Sequence, residues 1–220
     1  MKTVTSDKTM RESVERELEW DAQLDASHIA VAAKDGAITL TGHVPTYSEK
    51  QDTVKAAERV YGVRAVADEI EVKLASSNER DDSDIAEDIA RHMHSSIAIP
   101  SGVKAEVKNG NVTLRGEVSW LYQRSEAARA LRYLRGVRGL NNDITVKAHA
   151  PKADDVASRV SEAIERIAHV DARSIWATTT NGTVRLHGHV HSFAEKHTAG
   201  RAAASAPGVT RVENEVVVTP

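Results

Sequence analysis

Apolar residues recur along the chain in two alternating rhythms. Met10, Val14 and Leu18, and later Val156, Val160 and Ile164, are spaced by four, which puts one apolar stripe along a helix. Each helical stretch gives way to runs in which apolar and polar residues alternate, the signature of strands with one buried face. Three such runs share their punctuation: Lys34-Asp-Gly-Ala-Ile-Thr-Leu-Thr-Gly-His-Val44, Lys108-Asn-Gly-Asn-Val-Thr-Leu-Arg-Gly-Glu-Val118 and Thr180-Asn-Gly-Thr-Val-Arg-Leu-His-Gly-His-Val190. Asp35-Gly36, Asn109-Gly110 and Asn181-Gly182 supply the two positive φ angles of a type I′ turn, so each run is the centre of a β-hairpin.

The pattern repeats. Gly42, Gly116 and Gly188 lie 74 and 72 residues apart. Counted from each, position +5 is apolar (Tyr47, Leu121, Phe193), +8 is basic (Lys50, Arg124, Lys196), +20 is glycine (Gly62, Gly136, Gly208), and +26 is Asp68, Asn142 or Asn214 before a β-branched run. Thr46-x-x-Glu49 and Ser192-x-x-Glu195 are capping boxes that open a second helix, and the +20 glycine marks its end. The unit therefore reads α-β-β-α-β. The predicted fold is α+β: three tandem repeats, each a small sheet with two helices on one face, over residues 6–74, 81–148 and 152–219. The inward set is Ile38, Leu40, Val44; Val112, Leu114, Val118; and Val184, Leu186, Val190. Gly42, Gly116 and Gly188 are expected to permit close approach of a helix to the sheet. The linkers Ala75–Asp82 and His149–Ala153 are polar and read as spacers between independently folded units.

The Gly-x-x-x-Leu-x-Gly-x-Val hairpin, the helix ending in Gly-Val and the closing (Ile/Val)-x-Val strand resemble the BON domain, named for bacterial osmotically induced and nodulation proteins. The resemblance covers essentially the whole chain. It implies a non-enzymatic, stress-related or envelope-associated protein whose partner is an anionic phospholipid membrane surface. The alternative is a multivalent protein-interaction or chaperone-like adaptor for envelope or client proteins, pairing through exposed sheet faces and edge strands.

Composition narrows the chemistry. With 220 residues and no Cys, the chain has no disulfide, thiolate metal site or thiol nucleophile. No Gly-x-Ser-x-Gly, phosphate-binding loop or His-Glu-x-x-His motif is present, so neither an enzyme nor a cofactor is expected. No apolar window is long enough to span a bilayer, and the first ten residues lack the apolar stretch of a leader. The chain as written is expected in the cytoplasm; a periplasmic location follows from family analogy alone.

The formal net charge is −3, divided as −4 over residues 1–78, +1 over 79–150 and 0 over 151–220. No domain carries the basic stripe that phosphate neutralisation demands, so nucleic acid is not an expected partner. The middle repeat departs from its siblings. Its second helix region holds Arg124, Arg129, Arg132, Arg135 and Arg138 against Glu126. The +8 and +13 bases recur in all repeats and read as a shared solvated edge. Arg132 and Arg135 stand where the first copy has Glu58 and Tyr61 and the third has Ala204 and Pro207. Trp120, followed by Leu121 and Tyr122, replaces the capping Thr46 or Ser192. Trp120, Tyr122, Arg132 and Arg135 are therefore the candidate lipid- or partner-binding residues, an interfacial aromatic beside a basic helix. The competing arrangement folds Trp120 onto the core and pairs the arginines with neighbouring acids.

Ten histidines stand out. His187, His189 and His191 alternate and are expected on one exposed face of a strand, with Trp176 opposite His187 and Ser174 opposite His189. In the first repeat the same register sets His28 opposite His43. His-x-His on a strand can present two imidazoles to zinc, but no third ligand is evident, so no metal site is assigned and these three are weak candidates only.

Overall fold

The computed structural model describes residues 6–22, 24–96, 99–147, 153–165 and 174–219. Linker residues 149–152 and the side chain of Ile164, both used above, lie outside the described residues.

Each repeat begins with a helix: α1 (Asp7–Trp20), α3 (Asp82–Ser95) and α5 (Ala153–Glu165). The period-four stripe is its buried face, with Met10, Val14 and Leu18 in α1, Ile85 and Ile89 in α3, and Val156 and Val160 in α5. Ser6 and Asp81 cap α1 and α3 by accepting from the Thr9 and Asp84 N–H groups, as N-cap residues do. The first helical residue then ties down the hairpin. Asp7 accepts from the Asp35 N–H at 2.8 Å, and Asp82 from the Asn109 and Gly110 N–H groups at 2.7 and 2.8 Å.

The hairpins are β1 (Ile29–Lys34) with β2 (Ala37–Val44), β4 (Lys104–Lys108) with β5 (Asn111–Val118), and β7 (Ile175–Thr180) with β8 (Thr183–Val190). Their turns have φ of +50° and +83° at Asp35-Gly36, with matching values in the other repeats. The second helices, α2 (Tyr47–Arg59), α4 (Leu121–Leu131) and α6 (Phe193–Ser205), lead into a third strand parallel to the second. That strand is continuous as β3 (Ala65–Val72) and β6 (Gly139–Val146), but divided into β9 (Arg211–Asn214) and β10 (Val217–Val218) in the third repeat. Each sheet is ordered with the second strand central. The nine inward residues are all 3 % exposed or less.

The +26 residue explains itself here. Asp68, Asn142 and Asn214 accept from the backbone N–H two residues on, at 3.1, 3.3 and 3.3 Å, an Asx turn within the third strand. Asn142 and Asn214 also donate to the helix carbonyls of Arg124 and Lys196. The +8 bases are not a solvated edge: Lys50 donates to the Ile70 carbonyl at 2.6 Å and pairs with Asp68 at 3.2 Å, and Arg124 donates to the Asn142 carbonyl. Lys50 and Arg124 fasten the second helix to the third strand in their repeats, while Lys196 lies over the Phe193 ring.

The repeated glycines also serve a different neighbour from the one expected. A Cβ on Gly42, Gly116 or Gly188 would stand 1.9, 2.4 or 1.9 Å from the carbonyl oxygen of His28, Gly102 or Ser174. The close approach is between two stretches of backbone within the sheet rather than between sheet and helix.

The three units are not independent. Tyr47 of the first repeat packs in the core of the second, Leu121 of the second in the core of the third, and Phe193 of the third in the core of the first. The +5 position thus reaches the next unit each time, and the last returns to the first, with Phe193 packed against its own core as well. Helix α6 packs against both α2 and α4. The result is a closed cycle with approximate threefold repetition around the three second helices.

Candidate binding surface and the junctions between repeats

At the entry to α4 the polypeptide follows the path it takes in the other repeats, but the cap differs. Thr46 and Ser192 each accept from the N–H three residues on, at 3.2 Å. Trp120 has no oxygen with which to do so, and Gln123 instead turns its side-chain carbonyl back to the Ser119 and Trp120 N–H groups, both at 3.1 Å. The indole is released from capping and stands 38 % exposed, with Tyr122 beside it 46 % exposed. Between them Leu121, 9 % exposed, enters the third repeat's core. The alternation is geometric: one side chain anchors the junction while its two neighbours face water.

The arginines divide. Arg129 pairs with Glu126 within its own helix. Arg132 reaches across to the first repeat, where it pairs with Asp52 at 3.1 Å with only 18 % of its side chain exposed, and it also donates to the Tyr133 hydroxyl. It spans the junction between the first and second repeats, mostly covered. Arg135 is exposed. The four residues singled out from the sequence therefore fall into three places: Trp120 and Tyr122 at the start of α4, Arg132 in a junction, and Arg135 beyond the other end. An 11-residue helix spans about 16 Å, so the aromatic pair and Arg135 are two separate contact points. Sequence reasoning missed Tyr133, which is 62 % exposed next to Arg132; an aromatic immediately after a base in this arginine-rich segment was the available signal.

Tyr47 seals the same junction from the other side. Burial pushes its phenol above the usual tyrosine range, with the Leu140 backbone opposing that shift. At the junction between the third and first repeats, the Gly62 N–H donates to the His191 carbonyl at 3.3 Å, Tyr61 stacks on the His191 ring, and His197 lies 3.4 Å from Glu58.

The histidines of the third repeat separate accordingly. Trp176 does face His187, in register and with stacked rings 5.9 Å apart. His187 is further held by Glu215 at 3.2 Å and is partly covered. His189 is exposed on the strand, while His191 lies past the end of β8 against the first repeat. His187 and His189, two apart on β8, lie on the face opposite Leu186 and Val190, and His191 is beyond the strand. Among the described residues no group of three or more His, Cys, Asp or Glu side chains could hold a metal ion. Among the same residues no helix is long and apolar enough to cross a membrane.

Comparison with known proteins completes the picture. The chain is similar to osmotically-inducible protein Y of Escherichia coli (strain K12), with 27 % identity over 129 residues, 56 % of this chain. The matched region spans 64 % of that relative's length. Two structures of CdsD, the structural protein of the Type III secretion system of Chlamydia trachomatis, one of them of its C-terminal domain, align at 17 % identity. Both alignments cover 95 % of this chain, with 96 and 91 % of the respective matched chains, at a TM-score of 0.27 that supports no argument. The BON domain model matches three times, at residues 6–73, 81–148 and 152–220. Those three matches are the three α-β-β-α-β units of the cycle, and the chain belongs to the BON domain family.

Proposed function

We propose that this protein is a non-enzymatic, stress-related binding protein that docks on anionic phospholipid surfaces through its middle repeat. One observation carries the reading. Only the middle repeat replaces the capping hydroxyl with an aromatic, and Trp120 and Tyr122 both stand exposed at the start of its second helix. Amphipathic rings of this kind sit at the boundary between headgroups and acyl chains. Arg135 contributes a positive charge beyond the far end of the same helix, and each Arg near an anionic surface adds about 1 kcal/mol. Arg132 positions the helix by holding Asp52. The name of the Escherichia coli relative supports a role under osmotic stress.

The test is co-sedimentation of the full chain with neutral and with anionic phospholipid vesicles, at low and at physiological salt. Binding restricted to anionic vesicles and weakened by salt is expected. Trp120→Ala should reduce partitioning about tenfold, equivalent to ~1.4 kcal/mol, and Arg135→Glu should remove most of the salt dependence. Absence of binding under both salt conditions would sink the membrane reading and move the assignment to a client-protein adaptor that uses the edge strands.

A further inference from the structure

Every sheet of the cycle has its second strand at the centre, so the first and third strands are edges. An edge presents a row of unpaired N–H and C=O groups to any extended chain, and charged side chains or short length are its ordinary protection. β3, β4, β6 and β9 all carry acidic or basic residues, Glu69, Lys104, Asp143 and Arg211 among them, and β1 ends on Lys34. β10 has only two residues. β7 is different: it reads Ile175-Trp-Ala-Thr-Thr-Thr180, six residues without a charge, Pro or Gly. An uncharged segment of this length, rich in β-branched side chains, is the kind that pairs with a strand of another chain.

Its backbone groups face both ways. Thr180 stands opposite Thr183 across the two-residue turn and closes it as a hydrogen-bonded pair, so Thr180, Thr178 and Trp176 turn their N–H and C=O groups to β8. Those of Thr179, Ala177 and Ile175 point to the free side. Among the described residues β7 has no strand there, since its neighbour in the sheet is β8 alone. The Thr179 hydroxyl lies on the same strand, covered and without a hydrogen-bond partner.

We propose that β7 is a self-association edge, which pairs antiparallel with β7 of a second copy of this chain and joins two third sheets into one about a twofold axis. The strand is its own complement. Side chains alternate between the faces and must meet their own kind across the axis, which therefore passes through Ala177 or Thr178. In either register the opposed residues within the strand are drawn only from Ile, Trp, Ala and Thr. No like charges are brought together, and the opposed β-branched and aromatic side chains gain cross-strand contacts. With no charge on β7 to select a charged partner, the strand that matches it in length, twist and polarity is the same strand of another copy. A twofold contact closes on itself, so association stops at two. The dimer does not depend on the membrane reading.

Sedimentation equilibrium of the full chain over a concentration series tests the assignment. A reversible equilibrium between monomer and dimer is expected, without larger species. Ala177→Pro removes an N–H that points away from β8, so the hairpin keeps its own ladder. It should raise the concentration of half-association by at least about tenfold, because the change acts on both copies. Ala105→Pro, at the same position of β4, should leave it unchanged. In the unaltered protein, hydrogen exchange of the Ala177 and Thr179 amides should slow as concentration rises while that of Ala105 and Val107 stays constant, a readout that requires no variant to fold. A chain that stays monomeric throughout would overturn the proposal and leave β7 to an extended segment of another protein. A dimer in which the Ala177 and Thr179 amides gain no protection would overturn it as well.

Discussion

Two of the junctions that close the cycle use one scaffold and different seals. Between the first and second repeats, Tyr47 enters the neighbouring core and a well-covered Arg132–Asp52 pair crosses beside it. Between the third and first, Phe193 takes the same path, and the polar contacts are a backbone hydrogen bond, a Tyr61–His191 stack and a more exposed His197–Glu58 pair. The apolar +5 side chain is what every junction shares. The polar surround varies freely around it, which places most of the junction energy on the buried ring or aliphatic chain.

That ordering can be broken experimentally, starting with the anchors. Phe193→Ala should destabilise the whole chain by about 3 kcal/mol and Leu121→Ala by a similar amount, since each empties a space inside another repeat's core. Chemical denaturation followed by probes in different repeats would check this; a loss confined to the mutated repeat would contradict a shared core. Arg132→Ala should cost about 1–2 kcal/mol, because Asp52 keeps a partly covered charge without that partner. His197→Ala should cost no more than about 0.5 kcal/mol, the scale for a partner that is more than half exposed. Equal effects from the two would show that burial does not distinguish these seals.

Alkaline titration sharpens the contrast further. The folded state holds the Tyr47 phenol above its ordinary value of about 10. Its contribution is therefore complete below that pH and is lost as pH rises through the folded-state value. Ultraviolet difference absorbance should show a tyrosine ionising above the ordinary range, a step that Tyr47→Phe removes. The smallest effect lies on the third sheet. The hydrogen bond from Arg185, 2.5 Å away, holds the Glu213 carboxyl below its usual range. Any stabilisation from it is present above the ordinary glutamate range and lost as pH falls through the lowered value. Arg185→Ala should return the Glu213 NMR titration toward ordinary behaviour.

How much of this was legible beforehand follows from the range of each interaction. The repeated unit, its turns, its capping boxes and its inward residues depend on neighbours a few positions apart or on a common period, and all can be read from one strand of text. The hairpin register even placed His28 opposite His43. The destination of Tyr47, Leu121 and Phe193 could not be read, because periodicity says that a side chain is apolar without saying whose core receives it. The partner of Arg132 is hidden for the same reason: the residue looks like a surface specialisation until Asp52, 80 residues earlier, is brought against it. The role of Gly42 likewise depends on a carbonyl supplied by a separate stretch of chain. At the candidate surface, loss of the cap at Trp120 was visible in the sequence; the exposure of Trp120 and Tyr122 follows from Leu121 being claimed by another repeat.

An open stack of repeats has two end units with one bare face each, and those must be made polar to keep the stack soluble. Because Phe193 returns to the first repeat, this protein has no end units. Each repeat lends an apolar side chain to the next and receives one from the repeat before, so the coupling runs around a loop with periodic boundaries.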